Sequence, residues 1–293
     1  MNSPQATMLG RRLHLNHGPI DIIAEAFGDE VEVRRAYGQA VVRFNSVLEE
    51  LVAELPQLRS PVESTERRFA GLIARRMEAA TQPHFSVFLT PMAAVAGAVA
   101  DEVLAHMIAG RRLEKAYANN GGDSALYLNE GASLKLAIAG TGNGFADRAL
   151  IHAHDGVQGV ATSGWRGRSF SLGIADAVSV LARSGAEADA AATIIANAVD
   201  LPGHEAIRRA PAASLQPDSD LGGMLVTVAV GRLEREEVAA ALDAGLGKAE
   251  GMRERGLIVA AALFLDGQSR YTKDMPVGSP PQHKTMLGSL HHA

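Results

Sequence analysis

Asn119-Asn120-Gly121-Gly122-Asp123 lies between a short apolar run, Lys115 to Ala118, and a strand-like run, Ser124 to Asn129. Two consecutive glycines let the backbone adopt positive φ or pass close to a ligand. Taken alone the run reads first as a turn between two strands, since Asn and Gly pairs are common turn formers. Asp123 adds a carboxylate that can bond a sugar hydroxyl or hold a cation.

Upstream, Thr90-Pro91 marks a helix start, with Thr as N-cap and Pro at the first helical position. The helix should run from Met92 to about Ala109. Its first half is small: Ala93, Ala94, Ala96, Gly97, Ala98 and Ala100. Such a surface suits tight helix–sheet packing or the approach of a flat ligand. Asp101 follows Gly97 by one turn on the same face.

Downstream the chain reads as strands over Ser124–Asn129, Ser133–Ala139, Ala149–Ala153 and Val157–Ala161. Turn residues separate them, including Gly140-Thr141-Gly142-Asn143-Gly144, a hairpin or flexible loop that lacks the Lys of a Walker loop. His152 and His154 alternate on one strand face and could meet a metal, without an evident third ligand. Then comes Ala161-Thr162-Ser163-Gly164-Trp165-Arg166-Gly167-Arg168. Its hydroxyls and backbone N–H groups form either an anion cradle, with Arg166 and Arg168 contacting phosphate, or an ordinary polar turn.

After a strand-like run, Ala175 to Ala182, Ser184 and Glu187 form a capping box for a helix from Ala186 to about Val199. Asp189 and Thr193 share a face of it. A carboxylate and a hydroxyl near a helix start suit Mg²⁺, which takes oxygen ligands. The plainer alternative is a solvated Asp and a Thr bonded back to a carbonyl.

Towards the N-terminus, Ile20 to Ala26 reads as a strand. Asp29 with Glu32 resembles a capping box before a long helix to about Leu55. That helix carries an apolar stripe of Ala40, Val41, Phe44, Val47, Leu48, Leu51, Val52 and Leu55 and is ended by Pro56 and Pro61. A second helix is expected from about Ser64 to Ala79. Its Arg67, Arg68, Arg75 and Arg76 read as a solvated face, or as a phosphate-facing patch. Phe85 to Leu89 looks like a buried strand or lead-in.

Towards the C-terminus, Leu201 to Gly223 is a connection containing Asp218-Ser219-Asp220, a capped turn or a further approach to a metal. A strand over Met224–Val230 follows, then a helix from Glu234 to about Arg255 interrupted by Gly245, Gly247 and Gly251. Leu257 to Leu265 reads as a central strand. From Asp274 the tail has Pro276, Pro280 and Pro281 and no periodicity, with His291 and His292 exposed.

The composition of the 293 residues, 47 % hydrophobic and 21 % charged, is that of a soluble globular protein. A net charge of −5 argues against a nucleic-acid partner. The absence of cysteine excludes disulfides, thiolate metal sites and a Cys nucleophile, and fits a cytoplasmic location. No signal pattern is apparent, no uninterrupted apolar run reaches the roughly 20 residues of a membrane helix, and no internal repeat stands out.

Four segments, in order, resemble the ApbE-like superfamily, best known for FAD:protein FMN transferases. A small-residue helix of the type GGIAKGYAVD matches Ala93 to Asp101. A GGD motif matches Gly121-Gly122-Asp123, an ATSG strand end matches Ala161 to Gly164, and an ADALAT helix matches Ala188 to Thr193. The longer strings Thr90 to Asp101 and Ser171 to Ala182 look more like a branch apart from the transferases. The resemblance implies FAD bound along the GGD and TSG segments, and Mg²⁺ held by Asp189 and Thr193 near the pyrophosphate. In the transferases the metal polarises the pyrophosphate, a target-protein hydroxyl attacks phosphorus, and AMP leaves.

Two departures weigh against transfer. The family Lys corresponds to Ala96, and the HHIIDPRTG-type segment has no counterpart: the residues from Gly164 to Ser184 contain no His. A missing general base costs on the order of 10²–10⁴-fold in rate. Arg168, Ser169 and Ser171 are candidates to line the altered site.

The expectation is one α+β unit of T-fold-like ApbE architecture, mainly antiparallel sheet covered by helices, with a motif-bearing core over about 90–200. Its cofactor-binding residues would be Gly97, Asp101, Asn120, Gly121, Gly122, Asp123, Thr162, Ser163, Gly164, Arg166 and Arg168, with Asp189 and Thr193 on the metal. The ligand would be FAD or a related nucleotide with Mg²⁺. A target flavoprotein and a homodimer are compatible with the sequence. A non-catalytic flavin carrier and an enzyme acting on another small heterocycle are the alternatives.

Overall fold

The computed structural model describes residues 3–137, 148–273 and 275. The Gly140–Gly144 cluster, the end of the expected Ser133–Ala139 strand and the proline- and histidine-bearing tail lie outside them.

In chain order the elements are β1 (Gln5–Leu9), β2 (Arg12–His17), β3 (Ile20–Gly28), α1 (Glu30–Phe44), α2 (Val47–Ala53), α3 (Leu55–Leu58), α4 (Leu72–Thr81) and α5 (Val95–Ile108). Then come β4 (Leu113–Asn120), β5 (Asp123–Leu128), β6 (Ser133–Ala137), β7 (Arg148–His152), β8 (Gly159–Ser163), β9 (Ala177–Ala182) and α6 (Gly185–Ala198). The described chain closes with β10 (Ile207–Pro211), α7 (Ala212–Leu215), β11 (Leu225–Val230), α8 (Arg235–Glu254), β12 (Ala260–Leu265) and β13 (Gln268–Tyr271).

Nine strands form one sheet in the order β1-β2-β3-β4-β5-β8-β9-β12-β13, and every neighbouring pair is antiparallel. The fold is the α+β arrangement implied by the resemblance. α1 and α5 pack on β2 to β5, and α6 and α8 pack on β8, β9, β12 and β13. Strand alternation supplies the two layers. On β12, Ala261, Leu263 and Leu265 join the core under α6 and α8, while Ala260, Ala262 and Phe264 face a second core shared with Ile151 of the β6–β7 hairpin. That double cover explains why all six β12 residues are buried although the strand is second from the sheet edge rather than central.

Other boundaries differ from the sequence reading. The helix expected to reach Leu55 stops at Phe44 and restarts at Val47. At the break Arg43 donates to Ser46 Oγ at 3.0 Å and Ser46 donates to Glu50 at 2.6 Å, bonds that compete with a continuous helix. The second helix begins at Leu72, not Ser64, and 85–89 follows a 3₁₀ turn rather than forming a strand. The expected solvated arginines are partly internal. Arg67 pairs with buried Glu78 at 2.7 Å and Arg76 with Glu102 at 3.2 Å, so both are committed to structure. α8 runs through its three glycines unbroken. Pro91–Ile108 is long and apolar enough to cross a membrane by length and composition alone. Here it packs against α1, α4, α6, β4 and β5 as a core helix.

Candidate functional site

The site grows from the crossing of α5 and α6. Gly97 and Gly185 meet there: a Cβ on Gly97 would lie 2.1 Å from the Gly185 carbonyl oxygen, and a Cβ on Gly185 would lie 2.9 Å from that of Gly97. One turn after each glycine comes an aspartate. Asp101 accepts from the N–H groups of Gly185 at 2.8 Å and Ala186 at 2.9 Å, while Ser184 Oγ accepts from Glu187 at 3.2 Å. Asp189 Oδ2 accepts from Gly97 N–H at 3.0 Å. Each helix thus supplies an acid to the orphan N–H groups opening the other. Thr90 does not cap α5. Its hydroxyl donates to Asp220, and a 3₁₀ turn, Pro91–Ala94, precedes the helix.

The Gly121-Gly122 pair is the two-residue turn of the β4–β5 hairpin, with φ of +68° and +125°. Arg168 lies against it: a Cβ on Gly121 would come 1.7 Å from Arg168 Nη2. The hairpin places Asp123 at the head of β5, where Oδ1 accepts from Thr162 N–H at 3.2 Å.

Asp123, Asp189, Thr193, Ser163, Asn197 and Asp220 line a cleft of 310 Å³, walled also by Phe88, Leu89 and Arg168. Arg59, Met92, Val95, Ala96, Arg168 and Ser169 line both this cleft and a larger cavity of 720 Å³, so the two adjoin. The larger cavity is mainly apolar, with Ile20, Leu48, Leu51, Val52, Leu55 and Val99 in its wall.

The cleft's acids are partly buried. Burial first, then the charge of Asp123, pushes the Asp189 carboxyl well above the usual range, against the pull of the Gly97 and Ala96 N–H groups. Asp123 is raised to about 6 by burial, opposed by its Thr162 bond and by Arg168. Two such carboxyls in one cleft fit a bound cation, which would offset both burial and mutual repulsion. The donors are all oxygen, the chemistry Mg²⁺ prefers. Among the described residues no group of three or more His, Cys, Asp or Glu side chains is placed as a metal cage, so any ion there would keep waters or ligand oxygens.

Of the residues singled out in sequence, Asp123, Ser163, Arg168, Asp189 and Thr193 come together in the cleft. Gly97 and Asp101 lie at the helix crossing, where packing and capping occupy them, and burial raises Asp101 to about 6. Buried Asn120 ties β4 to α5, its amide donating to the Ala96 carbonyl at 3.2 Å. Thr162 faces the opposite side of the sheet, its hydroxyl 2.9 Å from Ser179 Oγ. Gly164 admits the 175–176 backbone: a Cβ there would lie 2.5 Å from the Asp176 carbonyl oxygen. Exposed Arg166 pairs with Asp176 at 2.9 Å, and Ser171 donates to Asn197 at 3.2 Å. His152 and His154 stack 5.4 Å apart outside the cleft. Sequence reasoning missed Arg59, Asn197 and the apolar wall of α2 and α3, whose distance along the chain hid their convergence.

A sequence profile of the family described as "AbpE bacteria" matches residues 5–271. The chain belongs to this family. Relatives in the ApbE-like branch include a UPF0280 protein of Methanothrix thermoacetophila, 31 % identical over 188 residues that cover 62 % of this chain and 75 % of the relative. A UPF0280 protein of Methanopyrus kandleri is 34 % identical over 208 residues, 69 % of this chain and 79 % of the relative. Among solved structures, the apo form of the Pseudomonas stutzeri flavinyl transferase ApbE aligns over 94 % of this chain and 96 % of its own, at 14 % identity and a TM-score of 0.40.

Proposed function

We propose that the protein binds FAD or a related nucleotide diphosphate with Mg²⁺ in the two adjoining cavities. The observation that carries this reading is the meeting of Asp189, Asp123 and Thr193 in a polar cleft that adjoins an apolar cavity across Arg168 and Arg59. Asp189 and Thr193 would hold the ion, with Asp123 beside them. Bound there, Mg²⁺ supplies Lewis-acid polarisation of a phosphoryl oxygen. Arg168 and Arg59 face the diphosphate with charge-assisted donors. The apolar cavity takes the flat ring and excludes water from it.

Binding without turnover is the reading that the cleft's chemistry favours over transfer. Among the described residues no His or Lys lines the cleft, and Ala96 stands where the transferases carry Lys. The test is a flavin-fluorescence titration with FAD, with and without Mg²⁺, on the wild type and Asp189→Asn, followed by an assay for AMP release with a candidate flavoprotein. Mg²⁺-dependent binding without AMP release supports the reading. AMP release restores the transferase, and absence of any FAD binding removes the flavin.

A further inference from the structure

The 3₁₀ turn after α4, Gln82–His84, borders a separate and smaller cavity of 160 Å³. Its wall includes His84, Ser86 and Val87, with Lys248 and Met252 from α8 and Arg255 just after it. It is well below the roughly 300–1,000 Å³ of sites for drug-sized ligands. At roughly 30 Å³ per water it holds about five waters, room for a phosphate-sized ion but not for a nucleotide.

The donors there are uncommitted. His84 is 7 % exposed, yet among the described residues its ring makes no hydrogen bond or ion pair, and neither does the Lys248 ammonium or the Ser86 hydroxyl. Arg255 gives one N–H to the Pro83 carbonyl at 3.2 Å, leaving the rest of its fork. No carboxylate lines the cavity. Lys248 lies about two turns before the end of α8, too far to be a helix-end counter-charge, because that effect fades within the last turn. Burial, then the charges of Arg255 and Lys248, push His84 down to about 4. The ring is therefore neutral near pH 7 and offers one N–H and one acceptor.

A largely buried imidazole that opens on the cavity, with two cations beside it and no carboxylate in the wall, leaves a positive pocket without a counter-charge. We propose that this cavity binds a small oxyanion of the phosphate class, held by Lys248 and Arg255 and by a hydrogen bond from His84. The site shares no lining residue with the acidic cleft and does not depend on what that cleft binds.

The test is a titration of the full chain with inorganic phosphate at pH 7, following the His84 ring resonances by NMR. Lys248→Gln, Arg255→Gln and Asp189→Asn run alongside; both substituted cations lie at the surface end of the cavity, so the variants should fold. The expected result is a saturable His84 shift whose affinity falls about tenfold or more in Lys248→Gln and Arg255→Gln and is unchanged in Asp189→Asn. No His84 shift in the wild type, or wild-type affinity in both cation variants, would overturn the proposal.

Discussion

Asp101 and Asp189 cap each other's helices: Asp101 on α5 accepts from the first N–H groups of α6, and Asp189 on α6 accepts from Gly97 near the start of α5. The arrangement requires the backbone contact at Gly97 and Gly185. Its two acids differ in their surroundings. Asp101 has both oxygens engaged by backbone N–H groups, whereas Asp189 gives Oδ2 to Gly97 and also lines the cleft. One pairing therefore supports the fold, and the other joins the fold to the site.

Gly97→Ala should destabilise the protein by about 1–3 kcal/mol, the usual range for overpacking, because the new methyl meets the Gly185 carbonyl. Gly38→Ala, with nothing within 4 Å in the middle of α1, should be neutral or stabilising by up to about 1 kcal/mol. Denaturant unfolding of both variants checks the contrast. Equal stabilities would remove the helix crossing from the account.

Glu102→Gln should cost about 1–3 kcal/mol. Glu102 is 1 % exposed and pairs with Arg43 at 2.8 Å, Arg76 at 3.2 Å and His106 at 3.5 Å. Arg43 is itself largely buried and would keep Glu50, at 2.7 Å, as its counter-charge, so the cost falls on the lost charge-assisted bonds of Glu102. A loss below about 1 kcal/mol in urea unfolding would show that water reaches the cluster.

The pH dependence of Asp189→Asn should differ from that of the wild type in a defined direction. A carboxyl whose folded pKa is raised binds its proton more tightly folded than unfolded, so metal-free stability falls as pH rises from the unfolded value near 4 through the folded one. Asp101 and Asp123 contribute this slope between about 4 and 6, and Asp189 extends it upward. His84, lowered to about 4, contributes the opposite slope between about 4 and 6.5, but it does so in both proteins. Without metal at pH 7, Asp189→Asn should therefore melt higher than the wild type, and the gap should close on acidification. A variant that melts lower across the range would contradict the raised Asp189 carboxyl.

Gly122→Ala and Gly121→Ala separate the turn from the ligand. Both glycines have positive φ, and the +125° of Gly122 lies outside the left-handed helical region, so alanine strains the hairpin by about 1–3 kcal/mol, more at Gly122. Only the Gly121 methyl displaces Arg168. Thermal melting should show a loss in both, while nucleotide affinity should fall further in Gly121→Ala. Equal affinities would place Arg168 outside the ligand's reach.

Much of this was legible in local pattern. The Ser184 N-cap, the Gly-Gly hairpin and the shared face of Asp189 and Thr193 all follow from spacing along one element, although Glu187 does not return the bond that would complete a capping box. The order of the four motifs by itself resembles that of ApbE-like proteins. The break after Phe44 was not legible, because it turns on the Arg43–Ser46–Glu50 bonds rather than on apolar periodicity. Nor was the double burial of β12, which depends on a hairpin far away in sequence. The reciprocal caps had a signal that was too short to register as a repeat: Gly97-Ala98-Val99-Ala100-Asp101 and Gly185-Ala186-Glu187-Ala188-Asp189 share a glycine, alanines and an acid at the same offsets. Only their meeting in space shows why.

The most direct test of the acidic cleft is calorimetry of FAD binding near pH 6, with and without Mg²⁺, in two buffers of different ionisation enthalpy. If Asp123 and Asp189 together receive the ion, FAD binding should require Mg²⁺ and release protons from the raised carboxyls, and Asp189→Asn should abolish both effects. FAD binding that is indifferent to Mg²⁺, with no proton release and no change in Asp189→Asn, would contradict the account.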